Sequence, residues 1–386
     1  FEIPLLGMDI IISVGAKFHA FNLAQQLLKR GYLKRLITSY PKFETAKYGI
    51  PKSKVRSIII KEILFRGWNK LPGFLKRIFD LQFFIFELFD KLASRKILKS
   101  DIFVGWSCFS LRSLRKAQKM GAITIIERGS SHIVYQDEIL REEYGRFGAK
   151  IAPTPKKIIA KELKEYAEAD YISIPSSFVK RSFLEYGVDE KKLIQVPYGV
   201  DLSNFRQIPK TDNVFRVIFA GGMSLRKGVH YLLQAFSELK LPNSELMLIG
   251  GMNDEIMPFF KKYEGSYKYV GHVDQKELYK YYSQGSVFAI MSIEEGLALV
   301  QPQAMACGLP IICTTNTGGE DIVRNNIDGF VIPIRDIEAL KEKLIYLYKN
   351  PEILKTMSQS AKERVKNDFT WDKYGEKIIE AYKRLL

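Results

Sequence analysis

The chain has 386 residues, with 59 lysines and arginines against 43 aspartates and glutamates, which gives a formal net charge of +16. A chain of this length exceeds what one hydrophobic core holds, so we predict two domains. The positive charge indicates an anionic partner, which can be nucleic acid, a phosphorylated substrate or a lipid surface. Nucleic acid is the least favoured of the three, because no RNA- or DNA-binding motif accompanies the charge.

The three cysteines predict neither a metal site nor a disulfide. Cys108, Cys307 and Cys313 lie in or beside apolar segments without metal-ligand spacing, so we expect buried thiols in a reducing compartment. No signal peptide and no uncharged span of about 18 residues is visible, which predicts a cytoplasmic protein.

The first predicted unit is a strand, a glycine turn and a helix. Residues 9–14 are apolar and end at Gly15, and residues 18–31 have the apolar spacing of a helix. This order is typical of the start of a nucleotide-binding fold, with a plain tight turn at Gly15 as the alternative. Lys17 and His19 could face an anion at the helix start, but solvated surface positions are expected for both.

An aromatic and basic segment follows. Between residues 61 and 99, nine basic residues stand against four acidic ones, an excess of +5. Residues 74–98 have helical periodicity, with a polar face that Phe83 interrupts. Such helices are typical of binding at a membrane surface, so an anionic membrane surface is one predicted partner. The alternative is a helix packed over the N-terminal sheet with a solvated basic rim, and both can hold at once.

A polar loop after the predicted strand at residues 123–126 is a candidate for the catalytic site. It reads Glu127-Arg128-Gly129-Ser130-Ser131-His132. A histidine in a loop that follows a strand is a catalytic candidate, and a helix-capping or hydrogen-bonded structural histidine is the alternative. Further predicted elements are a helix at residues 156–169, a strand at 171–175, a helix at 176–186 and an interdomain linker at 196–201.

The second half repeats the first pattern. Residues 215–220 form a predicted strand, residues 221–228 a glycine-rich loop, and residues 229–239 a helix. Arg226 and Lys227 lie in this loop, and a guanidinium can bind two phosphate oxygens at once. A diphosphate site is therefore predicted here, with a solvated Arg-Lys pair as the alternative.

Residues 292–320 are the most informative stretch. They follow the apolar strand at residues 287–291, open with Glu294-Glu295-Gly296, and pass through a short helix into the apolar run at residues 309–313. This is a βαβ unit, whose strand ends and helix N-terminus form an anion-binding edge in parallel sheets. The helix N-terminus near residues 298–300 is predicted to face phosphate.

This stretch resembles the donor-binding signature of retaining glycosyltransferase family 4, the glycosyl transferases group 1. The matching positions are Ser292, Glu295, Gly296, Ala304, Met305, Ala306, Gly308 and Pro310. Leu297 and Ala298 replace the family's Phe-Gly, and Gln303 stands where the family has a second glutamate. Gln303 keeps an acceptor oxygen without the charge, which predicts a weaker or differently oriented ribose contact.

The resemblance implies an α/β protein of GT-B architecture, with two Rossmann-like doubly wound domains facing a central cleft. We expect an acceptor-binding domain at residues 1–205, a nucleotide-sugar-binding domain at 206–368, and a terminal helix at 369–386 that crosses back to the first domain. The implied reaction is transfer of a hexose from a UDP-sugar, or alternatively a GDP-sugar, to a hydroxyl of a lipid-linked or cell-surface glycan. Retention of the anomeric configuration, no metal and no cofactor are expected.

The resemblance also implies roles for individual residues. Glu295 would hold the donor sugar, Arg226 and Lys227 the diphosphate, and either Arg128 or His132 would lie beside the transferred sugar. Gly222 stands in the position of a family arginine, and Arg226 would replace it. The other residues assigned to substrate binding are Gly15, Ala16, Lys17, Gly250, His272, Val273, Gly296, Leu297, Ala298, Leu299, Val300 and Gln303.

Two other functions fit the same resemblance. One is a GT-B epimerase, which would release free nucleotide without needing an acceptor. The other is a catalytically weakened homologue that binds glycan or lipid, for which Gly222 and Gln303 are the supporting departures. A panel of nucleotide sugars, assayed for hydrolysis and transfer, separates these functions.

Overall fold

The protein contains two parallel β-sheets, one in each half of the chain. The computed structural model describes residues 7–71, 81–151 and 154–386. The N-terminal strands are β1 (Ile10–Val14), β2 (Leu33–Thr38), β3 (Val55–Ser57), β4 (Ile102–Trp106), β5 (Ile123–Glu127), β6 (Tyr171–Ile174) and β7 (Leu193–Gln195). The C-terminal strands are β8 (Phe215–Ala220), β9 (Ser244–Ile249), β10 (Lys268–Gly271), β11 (Val287–Ile290), β12 (Ile311–Thr314) and β13 (Gly329–Ile332).

The strand orders make both sheets doubly wound. They run β3-β2-β1-β4-β5-β6-β7 and β10-β9-β8-β11-β12-β13, with parallel pairing. The order reverses between β1 and β4 in the first sheet and between β8 and β11 in the second. Ligands of open α/β sheets bind at such reversal points, outside the carboxyl ends of the strands. The prediction of two Rossmann-like α/β units is confirmed.

Helices cover both sheets. In the first half they are α1 (Ala20–Lys29), α2 (Lys42–Ala46), α3 (Ile60–Asn69), α4 (Gln82–Ser94), α5 (Leu111–Gln118), α6 (Ile133–Arg146), α7 (Lys156–Glu168) and α8 (Ser177–Glu185). In the second half they are α9 (Val229–Leu239), α10 (Met257–Lys262), α11 (Leu278–Tyr282), α12 (Val300–Ala306), α13 (Gly319–Ile322), α14 (Ile337–Lys349), α15 (Pro351–Asp368) and α16 (Trp371–Lys383). Strand β8 and helix α9 have the predicted bounds, whereas α6 was not predicted.

Helix α4 packs on α3 and α5 of the N-terminal half through part of its aromatic surface. Phe89 is fully buried, and the Phe86 ring lies 4.4 Å from that of Phe109. Phe83 is half-buried, and Phe84 is the more exposed aromatic residue, at 56%. Residues 74–80 of the predicted helix lie outside the described residues. Within residues 7–71, 81–151 and 154–386, no helix is long and apolar enough to cross a membrane.

Contacts besides the connecting chain join the two halves of the protein. Near the linker, α16 lies against α1, with Asp372 paired to Lys29 at 2.8 Å. Gly199 is required there, because a Cβ would lie 2.5 Å from the Trp371 nitrogen.

On the other side, α6 reaches the C-terminal half through Glu143. This buried carboxylate accepts hydrogen bonds from the Tyr231 hydroxyl at 2.7 Å and from Arg335 Nε at 2.7 Å, and it lies 3.2 Å from His230 Nε2. A helix of the first half is therefore anchored in the second.

Candidate active site

The loops after β8 and β11 meet at the reversal point of the second sheet. Gly228 begins α9 with a left-handed φ of +64°, and a Cβ there would lie 1.8 Å from the Met291 carbonyl oxygen. Only glycine fits such an approach. The Ile293 N–H also donates to the Arg226 carbonyl at 2.8 Å. The two loops are thus held together, which brings the cations of one beside the carboxylates of the other.

Four charged side chains form a cluster at this junction. Arg226 Nη2 lies 3.0 Å from Glu294 Oε2 and 3.5 Å from Glu295 Oε1, and Lys227 pairs with Glu295. The Glu294 side chain is fully buried, while those of Glu295, Lys227 and Arg226 are 14%, 23% and 34% exposed. The two cations and Glu295 are therefore partly accessible to solvent, whereas Glu294 is enclosed by protein.

Glu294 also bonds to the N-terminal half. Its Oε1 accepts hydrogen bonds from the Ser131 N–H at 3.1 Å and the Ser131 hydroxyl at 2.8 Å, and its Oε2 accepts one from Gln136 Nε2 at 2.9 Å. Burial opposes ionisation, but Arg226 and these hydrogen bonds hold the pKa of Glu294 below its ordinary value. The local sequence indicates no role for Glu294.

The halves approach most closely at two glycines. A Cβ on Gly296 would lie 1.8 Å from the Gly129 carbonyl oxygen, so a side chain at this position would push the halves apart. The Ser176 hydroxyl donates to the Gly296 carbonyl at 2.5 Å and adds a second contact from the first half. The predicted donor loop is therefore covered by the loop that carries Arg128 and His132.

Arg128 and His132 are both buried in this loop. Arg128 Nη2 donates to Gln136 Oε1 at 2.8 Å, and its Nη1 lies 2.9 Å from Glu162 Oε2. The His132 ring stacks on Tyr186 at 4.6 Å, and burial together with the charge of Arg128 lowers the pKa of His132 to about 4. Arg128 and Glu294 are therefore both hydrogen-bonded to Gln136. His132 is neutral and lies against aromatic side chains.

A cavity of about 990 Å³ lies between the halves. From the C-terminal half it is lined by Leu299 and Gln303, and from the N-terminal half by Lys17, His19 and Asn22. The expectation that His19 is solvated was wrong, and Lys17 is only half-exposed. His19 is 6% exposed.

His19 is buried because neighbouring rings enclose it. Its ring lies 4.1 Å from the Tyr198 ring and 5.1 Å from that of Trp106. Its Nε2 lies 3.2 Å from Glu127 Oε2. The sequence could not show this, because the enclosing residues come from β4, β5 and the linker.

The short helix α12 offers fewer free N–H groups than predicted. The Ala298 N–H donates to the Thr317 carbonyl at 3.0 Å, so it cannot also bind phosphate. Leu297 is buried, and Val300 begins the helix half-exposed. The predicted anion contact through the Ala298 N–H is therefore wrong, and the contact at residues 299 and 300 stays a prediction.

The remaining predicted residues lie in three places. Gly15 is buried against Phe109, next to the half-exposed Ala16. Gly250 has a φ of +136°, and a Cβ there would lie 2.0 Å from the Gly221 carbonyl oxygen, so this position requires glycine. Gly222, by contrast, has open space beside it. The third place is a separate groove of about 680 Å³, whose lining includes His272 and Val273. That groove does not share the lining residues of the 990 Å³ cavity.

The described ranges contain no cluster of three or more histidine, cysteine, aspartate or glutamate side chains arranged to hold a metal ion. Arg226 and Lys227 supply two positive charges where the loops after β8 and β11 meet. Such a pair can neutralise a diphosphate, and the neighbouring carboxylate of Glu295 can accept hydrogen bonds from hydroxyls.

Comparison with solved structures identifies the fold. The fold of sucrose-phosphate synthase from Thermosynechococcus elongatus matches with a TM-score of 0.70 at 17% identity, over 98% of this chain and 99% of that one. HepE of Anabaena, solved in complex with UDP and glucose, matches with a TM-score of 0.69 at 14% identity, over 97% of this chain and 99% of that one. The two facing units therefore have the GT-B fold, as predicted.

The sequence is similar to one family of glycosyltransferases. Residues 201–364 match the family model of glycosyl transferases group 1. The chain is also 24% identical over 362 residues to an uncharacterised glycosyltransferase of Methanocaldococcus jannaschii, and the match covers 87% of this chain and 88% of that relative. The C-terminal half of the chain therefore resembles group 1 glycosyltransferases, and the whole chain has the GT-B fold.

Proposed function

We propose that this enzyme transfers a hexose from a nucleoside diphosphate sugar to a hydroxyl group, with retention at the anomeric carbon and without a metal ion. The observation that carries the proposal is the convergence of Arg226, Lys227 and Glu295 at the reversal point of the second sheet. Two cations and one carboxylate suit a ligand that has a diphosphate at one end and sugar hydroxyls at the other.

The reaction needs charge neutralisation more than a side-chain base. The bond between the anomeric carbon and the diphosphate oxygen breaks, and a bond to the acceptor oxygen forms on the same face of the sugar. The acceptor proton passes to the departing diphosphate oxygen. Arg226 and Lys227 would stabilise the negative charge that develops there, exchanging their present carboxylate partners for phosphate oxygens. Glu295, released from Lys227, would accept hydrogen bonds from the donor sugar.

A UDP-sugar is the favoured donor. HepE of Anabaena, which has the same fold, was solved with UDP and with UDP-glucose. In this chain Gln303 lines the cavity between the halves, where its amide oxygen can accept a hydrogen bond from a ribose hydroxyl. A GDP-sugar is the alternative donor.

We propose a lipid-linked or cell-surface glycan as the acceptor, reached from an anionic membrane surface on the cytoplasmic side. Phe84 on α4 is 56% exposed with Lys157 Nζ 5.1 Å above its ring, and Ile63 on the neighbouring α3 is 61% exposed. Exposed apolar side chains with adjacent cations favour such a surface. Sedimentation with vesicles should increase with anionic lipid and decrease with salt. It should also decrease in Phe84→Ser but not in Tyr346→Ser, which alters an exposed aromatic residue of the other half; equal losses in both variants would contradict the assignment.

The activity is tested with UDP-glucose, UDP-galactose, UDP-N-acetylglucosamine and GDP-mannose. Release of nucleoside diphosphate should depend on one of these donors and persist in EDTA, and NMR of the product should show the donor's anomeric configuration. Binding of neither UDP nor GDP would refute the proposed donor. An inverted product, or loss of turnover in EDTA, would refute the retaining or the metal-free mechanism.

A further inference from the structure

A buried histidine–carboxylate pair forms part of the N-terminal wall of the cavity between the halves. His19 follows β1, Glu127 ends β5, and His19 Nε2 lies 3.2 Å from Glu127 Oε2. The side chains are 5% and 1% exposed. None of the residues assigned to donor binding takes part in this pair.

The pair fixes which nitrogen of His19 carries the proton. A carboxylate oxygen accepts hydrogen bonds, so Nε2 must be the donor, and Nδ1 of the neutral ring then carries a free lone pair. The Nδ1 atoms of His132 and His230 are buried without partners. His19 differs from them because it lines the cavity, and Nδ1 is the nitrogen that Glu127 leaves free to reach it.

The free-energy cost of burying this pair favours a functional role for it. Glu127 Oε1 and the hydroxyl of Tyr198, which stacks on His19, are both buried without a partner. A buried carboxylate that is only half satisfied costs free energy, which an apolar side chain of similar size would avoid. A pair whose only role was to stabilise the core would not need a buried carboxylate oxygen and a buried hydroxyl that have no hydrogen-bond partner.

We propose that His19 is an acceptor-binding residue that accepts a hydrogen bond from a hydroxyl of a sugar or polyol, and that Glu127 is the positioning residue that sets its tautomer. This inference rests on the proposed transferase function. The wall around His19 carries the amides of Asn22 and Gln25, which also suit hydroxyl groups. With about 990 Å³, the cavity is at the upper end of ligand-site volumes, so it has room beside the donor.

NMR of the protein with ¹⁵N-labelled histidine reports both the tautomer of His19 and its hydrogen bond with a bound hydroxyl. In the wild type, His19 should show a protonated Nε2 and an unprotonated Nδ1. Titration with methyl α-glucopyranoside, methyl α-mannopyranoside or myo-inositol, with and without UDP, should displace the Nδ1 signal for at least one probe. His230 is the internal control, since it forms the same kind of pair with Glu143 away from the cavity. A protonated Nδ1 on His19, or a signal that none of the three probes moves, would overturn the proposal.

Variants separate positioning from folding. Glu127→Gln can donate to Nε2 and so allows the proton to move to Nδ1. Its dissociation constant for the bound probe should rise about 3- to 10-fold, as for loss of one neutral hydrogen bond. His19→Asn, which keeps an acceptor oxygen near the Nδ1 position, should bind more tightly than His19→Ala. Equal affinity in all variants would overturn the assignment.

Hydrolysis of the nucleotide sugar by water is measured in parallel, because it does not need the acceptor. In Glu127→Gln, a loss of hydrolysis equal to the loss of probe affinity would indicate a structural role and contradict the proposal. A wild type that binds neither UDP nor GDP, yet whose Nδ1 signal responds to a polyol, would refute the transferase function while leaving the hydroxyl site in place.

Discussion

Replacement of Glu294 by glutamine should destabilise the contact between the halves by about 3 kcal/mol. The glutamine oxygen can still accept both hydrogen bonds from Ser131, but its NH₂ group would face two donors, Gln136 Nε2 and the Arg226 guanidinium. Gln136 cannot simply rotate its amide, because its Oε1 accepts from Arg128 Nη2 at 2.8 Å. Two charge-assisted hydrogen bonds are lost, at about 1.5–3 kcal/mol each, and hydration of the one-third-exposed Arg226 offsets part of the loss.

The matched control is Glu320→Gln. Glu320 also pairs across the halves, with Arg181 at 2.6 Å, but the two side chains are 33% and 52% exposed. An exposed ion pair contributes about 0–1 kcal/mol, so this control should lower the thermal midpoint little. Glu294→Gln should lower it by several degrees.

The pH dependence provides a further check. The pKa of Glu294 is held below its ordinary value in the folded protein, so its contribution is present above the unfolded-state pKa and is lost as the pH falls through the folded-state pKa. The difference between wild type and Glu294→Gln should therefore shrink in acid. Equal midpoints for Glu294→Gln and Glu320→Gln at neutral pH would refute the reasoning.

Three other predictions concern the site. Lys227→Ala and Arg226→Ala should each weaken UDP binding roughly 10- to 100-fold in calorimetry, as loss of a charge-assisted contact of about 1.5–3 kcal/mol implies; unchanged affinity in both would remove the diphosphate assignment. Glu295→Gln should lower turnover while leaving UDP affinity largely intact, and equal losses of both would place this carboxylate elsewhere. The pKa of His132 is lowered to about 4, so the folded protein binds fewer protons than the unfolded chain between its ordinary 6.5 and about 4, and stability should fall as the pH falls through this window. His132→Phe should flatten that slope, and an unchanged slope in denaturation experiments would contradict the buried neutral ring.

The sequence was sufficient for the fold and for the positions of the loops after β8 and β11, because these depend on local pattern. Apolar runs, glycine turns and helical spacing determine β8 and α9, and the residues between 292 and 310 carry the resemblance to the family. Arg226 and Lys227 lie beside Glu295 because their loops follow the neighbouring parallel strands β8 and β11. That proximity follows from the strand order of this fold.

Other features depend on residues far apart in the chain. Glu294 is hydrogen-bonded to Ser131, which lies 163 positions earlier in the chain, and no local sequence pattern indicates that contact. Two adjacent glutamates before a glycine were visible, but nothing in the sequence showed that one would face the cleft and the other the opposite half. Helix α6 was missed because only Ile133, Ile139 and Glu143 are buried along it, too few to give a clear apolar face.

The anchoring of α6 in the second half has a consequence for how these enzymes can be recombined. A chimera that takes its C-terminal half from a relative, joined just after the linker near residue 206, would keep α6 with the first half but replace Tyr231 and Arg335, the partners of Glu143. The buried carboxylate would then face foreign side chains, and the hybrid would carry an unpaired charge at its seam. The unit of exchange is therefore not the linear segment after the linker: α6 has to be transplanted together with the half to which it is bonded.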